Sequence, residues 1–289
     1  HSANGPKSEF MEAQAELMNA FRAIGCPLLP LKGNHDDNSI VDHYGDPDGT
    51  GNVVFPAESY ELYVRAIERS VSLDSSNRQG LYYYYDIPGA KLRLIMLNCI
   101  DIPYAKTERG GLLFKGQWKY AFSNAQLRWV AERALSFEDK PDPDEWTAVL
   151  FSHVSVGQEG VFGADHPVEN EGAMWGIIAA YRHGRAFRAE ATDGPFGQAA
   201  SADFAARGPG RIAGCFFGHV HFDQTLEKDG IPLVSTLNAT TNRDFEGAPE
   251  RIAGSRTETA FDVVTIDPRR RTIHLTRFGA GEDRIVRYG

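Results

Sequence analysis

The sequence predicts an α/β fold in which two packed mixed β-sheets are flanked by helices. Two observations predict this class: segments with helical and strand periodicity alternate along the chain, and several short apolar runs are suited to buried strands. We interpret residues 1–289 as a single domain. The chain has 289 residues, of which 42% are hydrophobic and 24% charged, which is enough for one large core of ordinary globular composition.

The first predicted helix covers residues 9–24. Ser8 is placed to cap its start and Gly25 to end it. Its apolar side chains recur at helical spacing on one face, which comprises Phe10, Ala13, Leu17, Phe21 and Ile24. A short strand is predicted directly afterwards, at residues 28–31.

Residues 82–98 predict a β-hairpin with a Pro-Gly turn, and its four consecutive tyrosines should pack alternately on the two faces of a strand. Residues 123–135 predict a helix that begins with a capping box formed by Ser123 and Gln126. The apolar face of this helix comprises Leu127, Val130 and Ala134.

Two more buried strands are predicted at residues 147–151 and 215–217, and a second hairpin at residues 261–278. Residues 155–211 are rich in Gly and Ala and predict a loop-rich insertion near the functional site. Within this insertion, residues 173–181 have a helical pattern.

Charge and composition limit the partners and the location. A net charge of −9 argues against bulk binding of nucleic acid or anionic membranes. Three cysteines without a C-x-x-C pair favour reduced thiols and therefore a cytoplasmic location. No apolar stretch approaches the ~20 residues that a membrane span needs. The sequence makes no prediction of the oligomeric state.

Three of the predicted strands run directly into histidine-containing clusters. Ligands collect at the carboxyl ends of strands in open α/β sheets, because the loops there share one crevice. Imidazole nitrogens and amide oxygens are good ligands for Zn, Mn or Fe. The joint pattern predicts a metal centre. The polar side chains that follow the strands are Asn34, His35, Asp36, His153, His219 and His221.

Each cluster taken alone has a plainer interpretation. The stretch Gly-Asn-His-Asp at residues 33–36 is also typical of an Asx-type turn followed by a helix cap. His153 alone fits an ordinary hydrogen-bonded histidine, and His219 and His221 would share one face if the strand continued. The other histidines lack a strand-end context and are interpreted as loop or surface residues: His43, His166, His183 and His274.

At these residues the chain resembles the calcineurin-like metallophosphoesterases. The stretches at 33–36, 153 and 218–221 match the third, fourth and fifth motifs of that family in type, order and rough spacing. The stretch SNAQLRWVAERAL at 123–135 is similar to the helix that commonly precedes the fourth motif. The resemblance covers most of the chain, and it implies a four-layer metallophosphoesterase-like sandwich.

The resemblance also implies an activity. The protein would be a phosphodiesterase or phosphomonoesterase that acts on a small-molecule phosphoester through a metal-activated hydroxide, with two divalent or trivalent ions of Mn, Zn or Fe. His35 would lie just outside the metals and act on the phosphate, and Asp36 would orient it and favour its imidazolium form. The implied metal ligands are His221 for one ion and, for the other, Asn34, His153 and His219.

The chain departs from the family at its start. The family opens with Asp-x-His and Gly-Asp motifs, and neither precedes residue 33 here. Asp42-His43 and Gly45-Asp46 do not replace them, because both pairs follow residue 33 and neither follows an apolar strand. The chain begins with His1, and its first ten residues look like the segment that ordinarily follows the Gly-Asp motif. We therefore expect the domain to be N-terminally incomplete in this sequence.

Two alternative functions remain open. One is a binding or structural module with the phosphoesterase fold that has lost a metal site. The other is a mononuclear metal hydrolase that acts on an amide or an ester. For the rim of the site, the sequence indicates residues 38–58, 104–118 and 155–211, and the candidate substrate contacts are Arg109, Trp175 and Arg182.

Overall fold

The computed structural model describes residues 5–241 and 245–289 of the chain. Its α-helices are α1 (Lys7–Arg22), α2 (Ser39–Gly45), α3 (Pro56–Ser59), α4 (Asn124–Trp129) and α5 (Glu171–His183). Its strands are β1 (Ser72–Leu73), β2 (Tyr83–Ile87), β3 (Leu92–Met96), β4 (Tyr120–Ala121), β5 (Thr147–Ser152), β6 (Val168–Glu169), β7 (Ala186–Arg188), β8 (Ser201–Asp203), β9 (Arg211–Phe217), β10 (Gln224–Lys228), β11 (Ile231–Ser235), β12 (Ala260–Asp267), β13 (Thr272–Gly279) and β14 (Arg284–Arg287).

A mixed sheet of seven strands forms the centre of the fold, in the order β1-β2-β3-β5-β9-β11-β10. The four strands β3, β5, β9 and β11 are parallel, and the outer strands β1, β2 and β10 are antiparallel to their neighbours. Because the central strands run in one direction, their carboxyl ends meet at one edge of the sheet.

A second sheet of three strands, β12-β13-β14, packs on one face of the central sheet. The predicted α/β class with two packed sheets is therefore confirmed. The second sheet is antiparallel throughout rather than mixed, because its consecutive strands are joined by short turns, which can connect only antiparallel neighbours. The core between the sheets includes Val149, Phe216, Ile273 and Leu275.

Helices α4 and α5 contribute to the core on the other face of the central sheet. The predicted apolar face of the 123–135 helix is confirmed, because Leu127, Val130 and Ala134 are all fully buried. Burial of a side chain the size of leucine stabilises the fold by about 1.5–3 kcal/mol. On the outer face of the second sheet, several apolar side chains are exposed, namely Phe261, Val263, Phe278 and Ile285.

Both predicted hairpins are confirmed. Strands β2 and β3 pair antiparallel from Tyr83 opposite Met96 to Ile87 opposite Leu92, and β12 pairs antiparallel with β13. The predicted alternation of the tyrosines is also confirmed, because the neighbouring side chains of Tyr82 and Tyr83 are buried in two different parts of the core.

The strand predicted at residues 28–31 is wrong: this segment belongs to no sheet of the described chain. Pro30 lies in its middle and has no backbone N–H to donate to a neighbouring strand. The carbonyl oxygen of Pro30 instead accepts a hydrogen bond of 2.6 Å from the Tyr83 hydroxyl. Leu28, Leu29 and Leu31 still pack against the core, so the segment is anchored by its side chains.

The start predicted for the first helix is also wrong, and of the five residues predicted for its buried face, Phe10 is the one that is fully buried. Helix α1 begins at Lys7. The backbone N–H of Lys7 donates a hydrogen bond of 3.0 Å to Oδ1 of Asn52, so the cap comes from a distant loop and not from Ser8. The helix buries Phe10, Gln14 and Met18, whereas three of the predicted core residues are substantially exposed, namely Leu17, Phe21 and Ile24. The three buried residues are four positions apart, and this i, i+4, i+8 row is the side of the helix that packs against the rest of the chain.

Half of the predicted capping box is confirmed. The Ser123 hydroxyl accepts the N–H of Gln126 at 3.2 Å. The Gln126 side chain does not bond to the N-cap backbone, because it pairs with the backbone of Asn98 instead. It donates a hydrogen bond of 2.8 Å to the Asn98 carbonyl and accepts one of 2.9 Å from the Asn98 N–H. After Trp129 the helix continues as one wider turn, Val130–Ala134.

The region 155–211 contains helix α5 and the strands β6, β7 and β8. The helical pattern at residues 173–181 is confirmed by α5. Within the described residues, no helix combines the length and apolarity needed to cross a membrane.

Candidate metal centre

The three predicted clusters meet in one pocket of about 340 Å³. Strands β5 and β9 end side by side, with Ser152 opposite Phe217, and the next residues are linked by a 3.1 Å hydrogen bond from Gly218 N–H to the His153 carbonyl. The predicted convergence is therefore confirmed, although only two of the three clusters follow strands, because residues 28–31 form none. All six predicted site residues line the pocket: Asn34, His35, Asp36, His153, His219 and His221.

His153 lies at the centre of this arrangement. Its Nε2 atom is 2.9 Å from Oδ1 of Asn34, and its ring centroid is 5.1 Å from that of His219. Burial, reinforced by the neighbouring histidines, lowers the pKa of His153 to about 3. The imidazole is therefore neutral at ordinary pH, which is the form that can bind a metal.

Gly33 makes room for the His153 ring. A Cβ atom at residue 33 would lie 3.2 Å from ring atoms of His153, which is closer than ordinary van der Waals contact between carbon atoms. The glycine of the Gly-Asn-His-Asp stretch thus permits close approach of the backbone to the imidazole.

The Gly-His-Val-His stretch is a strained loop. Strand β9 ends at Phe217, and His219 and His221 have positive φ values of 61° and 51°. Positive φ is uncommon for residues other than glycine, and such strain clusters at functional sites. The plainer interpretation, in which both histidines share the face of a continuing strand, is wrong.

Asp165 is a site residue that the sequence analysis missed. Its Oδ1 atom lies 2.9 Å from Nε2 of His219, whose Nε2 is also 3.4 Å from the Tyr120 hydroxyl. Burial acts to raise the pKa of Asp165, but the contacts with His219 and His166 outweigh it and lower the pKa. Asp165 comes from the 155–211 region without an apolar strand before it, so only the adjacent Asp165-His166 pair could have indicated it.

Asp36 supports its own loop. Its Oδ2 atom accepts the N–H of Gly33 at 2.7 Å, and burial raises its pKa to about 6. No hydrogen bond between Asp36 and His35 occurs in the described part of the chain, and the orienting role of Asp36 stays a prediction.

His35 lies beside Gln117, with the Nε2 atoms of the two side chains 3.4 Å apart. Its Nδ1 atom is buried and has no hydrogen-bond partner among the described residues. Burial, followed by the influence of His219 and His221, lowers the pKa of His35. The ring is therefore shifted toward the neutral form, in contrast to the imidazolium that the sequence analysis expected.

Asp37 is a second missed residue, and it connects the loops around the site. It is fully buried and accepts hydrogen bonds from the Ser39 N–H at 3.0 Å and the Gly116 N–H at 2.7 Å. Gly116 precedes Gln117. The carbonyl oxygen of Gln117 accepts a hydrogen bond of 3.3 Å from Nδ2 of Asn34. The buried carboxylate thus positions a loop that contacts a candidate metal ligand.

Part of the predicted rim is found at the pocket. Gln117 from the 104–118 segment and Asp165 from the 155–211 region line it. The three candidate substrate contacts do not line the pocket, namely Arg109, Trp175 and Arg182. Trp175 is held elsewhere by a 2.6 Å hydrogen bond to Asp229, and Arg182 lines a different cavity.

The donor set fits a transition-metal ion in its chemistry, because imidazole, amide and carboxylate groups suit Mn, Zn or Fe. Within residues 5–241 and 245–289, no three His, Cys, Asp or Glu side chains are already arranged to hold an ion. Ring nitrogens of His153 and His219 instead meet the side-chain oxygens of Asn34 and Asp165. The candidate set therefore includes the amide oxygen of Asn34.

Comparisons with known proteins assign no family. No family model matches the chain, and no curated protein matches it.

Proposed function

We propose that this protein is a metal-dependent phosphoester hydrolase, a phosphodiesterase or phosphomonoesterase. The observation that carries the proposal is the meeting of Asn34 with His153 and His219 in one pocket, where the two histidines follow the ends of the adjacent strands β5 and β9. The resemblance of the three clusters to calcineurin-like metallophosphoesterases supports the same class. The pocket, at about 340 Å³, is within the ~300–1,000 Å³ of small-molecule sites, which suits a small phosphoester.

Two divalent or trivalent ions of Mn, Zn or Fe would supply Lewis-acid binding of phosphate oxygens and a hydroxide nucleophile at neutral pH. The chain's own groups would hold them, and the proposed ligands are His221 for one ion and, for the other, Asn34, His153 and His219. Burial keeps His153 neutral, with a lone pair to offer.

Asp165 would orient a ligand. Its contact with Nε2 of His219 would favour the tautomer protonated at Nε2, in which Nδ1 carries the lone pair that a metal needs, as carboxylates behind metal-binding histidines do. This carboxylate is supplied by the 155–211 region.

His35 would act on the phosphate. Its ring lines the pocket beside Gln117, and a neutral imidazole still has one N–H to donate to a phosphate or leaving-group oxygen. The family's four-layer sandwich belongs to the proposal as well, and it would place a further layer over the exposed apolar face of the second sheet.

The test is a measurement of metal per chain, by plasma mass spectrometry, on the protein as purified and after loading with Mn or Zn. It is paired with hydrolysis assays on a phosphodiester, a phosphomonoester and a carboxylic ester of the same chromophore. We expect metal binding, and phosphoester hydrolysis that EDTA abolishes and added metal restores.

Other outcomes would assign other functions. Metal binding without hydrolysis of any ester would contradict the enzyme proposal and favour a binding or structural module. Hydrolysis of the carboxylic ester alone, with about one ion per chain, would favour a mononuclear hydrolase.

A further inference from the structure

A second cavity, of about 150 Å³, lies at the opposite end of the central strands. Thr147 and Arg211 are the first residues of β5 and β9, whereas the candidate metal centre follows the last residues of the same strands. Five residue steps along β5, at about 3.3 Å each, separate the two ends. The two sites therefore do not share residues.

Three arginines from three layers of the fold line this cavity. Arg182 comes from helix α5, Arg211 from the central sheet, and Arg271 from the turn between β12 and β13. Tyr288, which follows β14, completes the wall on the side of the second sheet.

The wall of the cavity carries positive charge and no acidic side chain. No Asp or Glu is among the described residues that line it; Glu145 and Asp267 line an adjoining cavity that shares Arg211 and Arg271. Arg182, Arg211 and Arg271 form no ion pair with an acidic side chain in the described part of the chain. The Nε atom of Arg182 is buried and has no hydrogen-bond partner there.

Among the described residues, a backbone group engages one of the three guanidinium groups. Nη1 of Arg271 donates a hydrogen bond of 2.6 Å to a backbone oxygen of Gly289. Each guanidinium has five N–H donors in a planar fork, so most of the donors around the cavity remain available to a ligand.

Size and charge together specify the ligand. A cavity of about 150 Å³ is smaller than the ~300–1,000 Å³ pockets that bind drug-sized molecules, which favours a compact ligand. Guanidinium groups match phosphate oxygens and bind them with paired hydrogen bonds. A tetrahedral dianion can face donors that come from three directions, whereas a planar carboxylate matches a single fork.

We infer that this cavity is a second binding site that takes a compact tetrahedral oxyanion, namely inorganic phosphate or a small phosphate-bearing group. The bound anion bridges helix α5, the central sheet and the second sheet, and it relieves the repulsion among the three arginines. It consequently stabilises the folded chain by mass action, because the unfolded chain has no such cavity. The inference is independent of the proposed hydrolase activity.

The test is equilibrium dialysis of the 289-residue protein with radiolabelled inorganic phosphate in EDTA, so that metal-dependent binding at the strand-end pocket does not contribute. We expect saturable binding of about one phosphate per chain that sulfate displaces and chloride at equal ionic strength does not. Arg211→Gln and Arg271→Gln should each weaken binding by about 10-fold or more, since each removes charge-assisted hydrogen bonds. Thermal melting should show phosphate-dependent stabilisation that these variants lose.

The matched control is Arg270→Gln, which removes an exposed arginine from the same β12–β13 turn that lines neither this cavity nor the adjoining one. It should bind phosphate as the unaltered protein does. Melting curves without phosphate establish that each variant folds. If one of the two cavity variants does not fold, Arg182→Gln replaces it in the test. The inference is overturned if phosphate binds only to metal-loaded protein, or if the cavity variants and Arg270→Gln bind it equally.

Discussion

The Nε2 atom of His153 lies 2.9 Å from Oδ1 of Asn34, although 119 residues separate them in the chain. This contact joins the end of β5 to the loop that follows residue 31. It is possible because Gly33 has no Cβ to push the imidazole away. The pair brings two different donor types, a neutral imidazole and an amide oxygen, to one point in the pocket.

His153→Ala should reduce metal affinity, because it removes a proposed ligand. The loss should exceed the ~10–100-fold that removal of an outer-shell partner costs. Metal content after loading and dialysis measures it, and His274→Ala is the control, since His274 is exposed on the second sheet. Equal metal content in both variants would remove His153 from the ligand set.

Asp165→Asn should weaken metal binding by ~10–100-fold while the fold is retained, because an amide holds the His219 ring less firmly than a carboxylate does. The readout is a metal titration followed by competition with a chelator. Asp193→Asn is the matched control, because Asp193 is an exposed carboxylate of the same 155–211 region. If the two variants bind metal alike, Asp165 has no part in the site.

His35→Gln should lower turnover of a phosphoester by ~10²–10⁴-fold, the usual contribution of a positioned general acid or base. Bound metal should be unchanged, because His35 is not among the proposed ligands. Steady-state kinetics and metal content are measured on the same preparation. Unchanged turnover would exclude His35 from the chemistry, and a parallel loss of metal would make it a ligand.

Arg93→Met should destabilise the fold by about 3–5 kcal/mol, because it breaks the buried pair with Asp86 and leaves the backbone carbonyls of residues 133, 134 and 136 without the donor that Arg93 supplies. Arg93 is fully buried and forms two hydrogen bonds of 2.7 and 3.0 Å with Asp86. The free energy of unfolding in urea checks this. Arg128→Met, at an exposed position of helix α4, should change it little, and similar losses in the two variants would contradict the prediction.

The pH dependence of stability should include a contribution from Asp101. Burial raises its pKa in the folded protein to about 6, although Ser123 and Gln126 donate hydrogen bonds to it. Its pKa in the unfolded chain is about 3.9. Between these values the folded state holds a proton that the unfolded state has lost, so this contribution to stability falls as pH rises from about 4 to about 6.

Asp101→Asn should remove that decrease. Unfolding in urea at several pH values between 4 and 7 would show it as a flatter stability profile for the variant across this window. The exposed Asp139→Asn should keep the profile of the unaltered protein. A variant profile that falls as steeply as the original would contradict a raised pKa at Asp101.

Most of the elements that local patterns predicted are present in the structure. The row of Leu127, Val130 and Ala134 lies in the core as expected, because helical periodicity alone brings these residues to one face. The Gln126 side chain was assigned to the cap and instead pairs with Asn98. Its choice of partner depends on where the end of β3 lies in the fold, which helical spacing does not encode.

By itself, the sequence determined the two hairpins, the apolar face of the 123–135 helix and the placement of Asn34, His153 and the Gly-His-Val-His stretch after three apolar runs. These follow from side-chain period and backbone constraints within a few neighbouring residues. Only the tertiary structure decided that Asp165 contacts His219 and that Arg182, Arg211 and Arg271 surround one cavity. Those relationships depend on how distant segments pack against each other, and no local pattern records them.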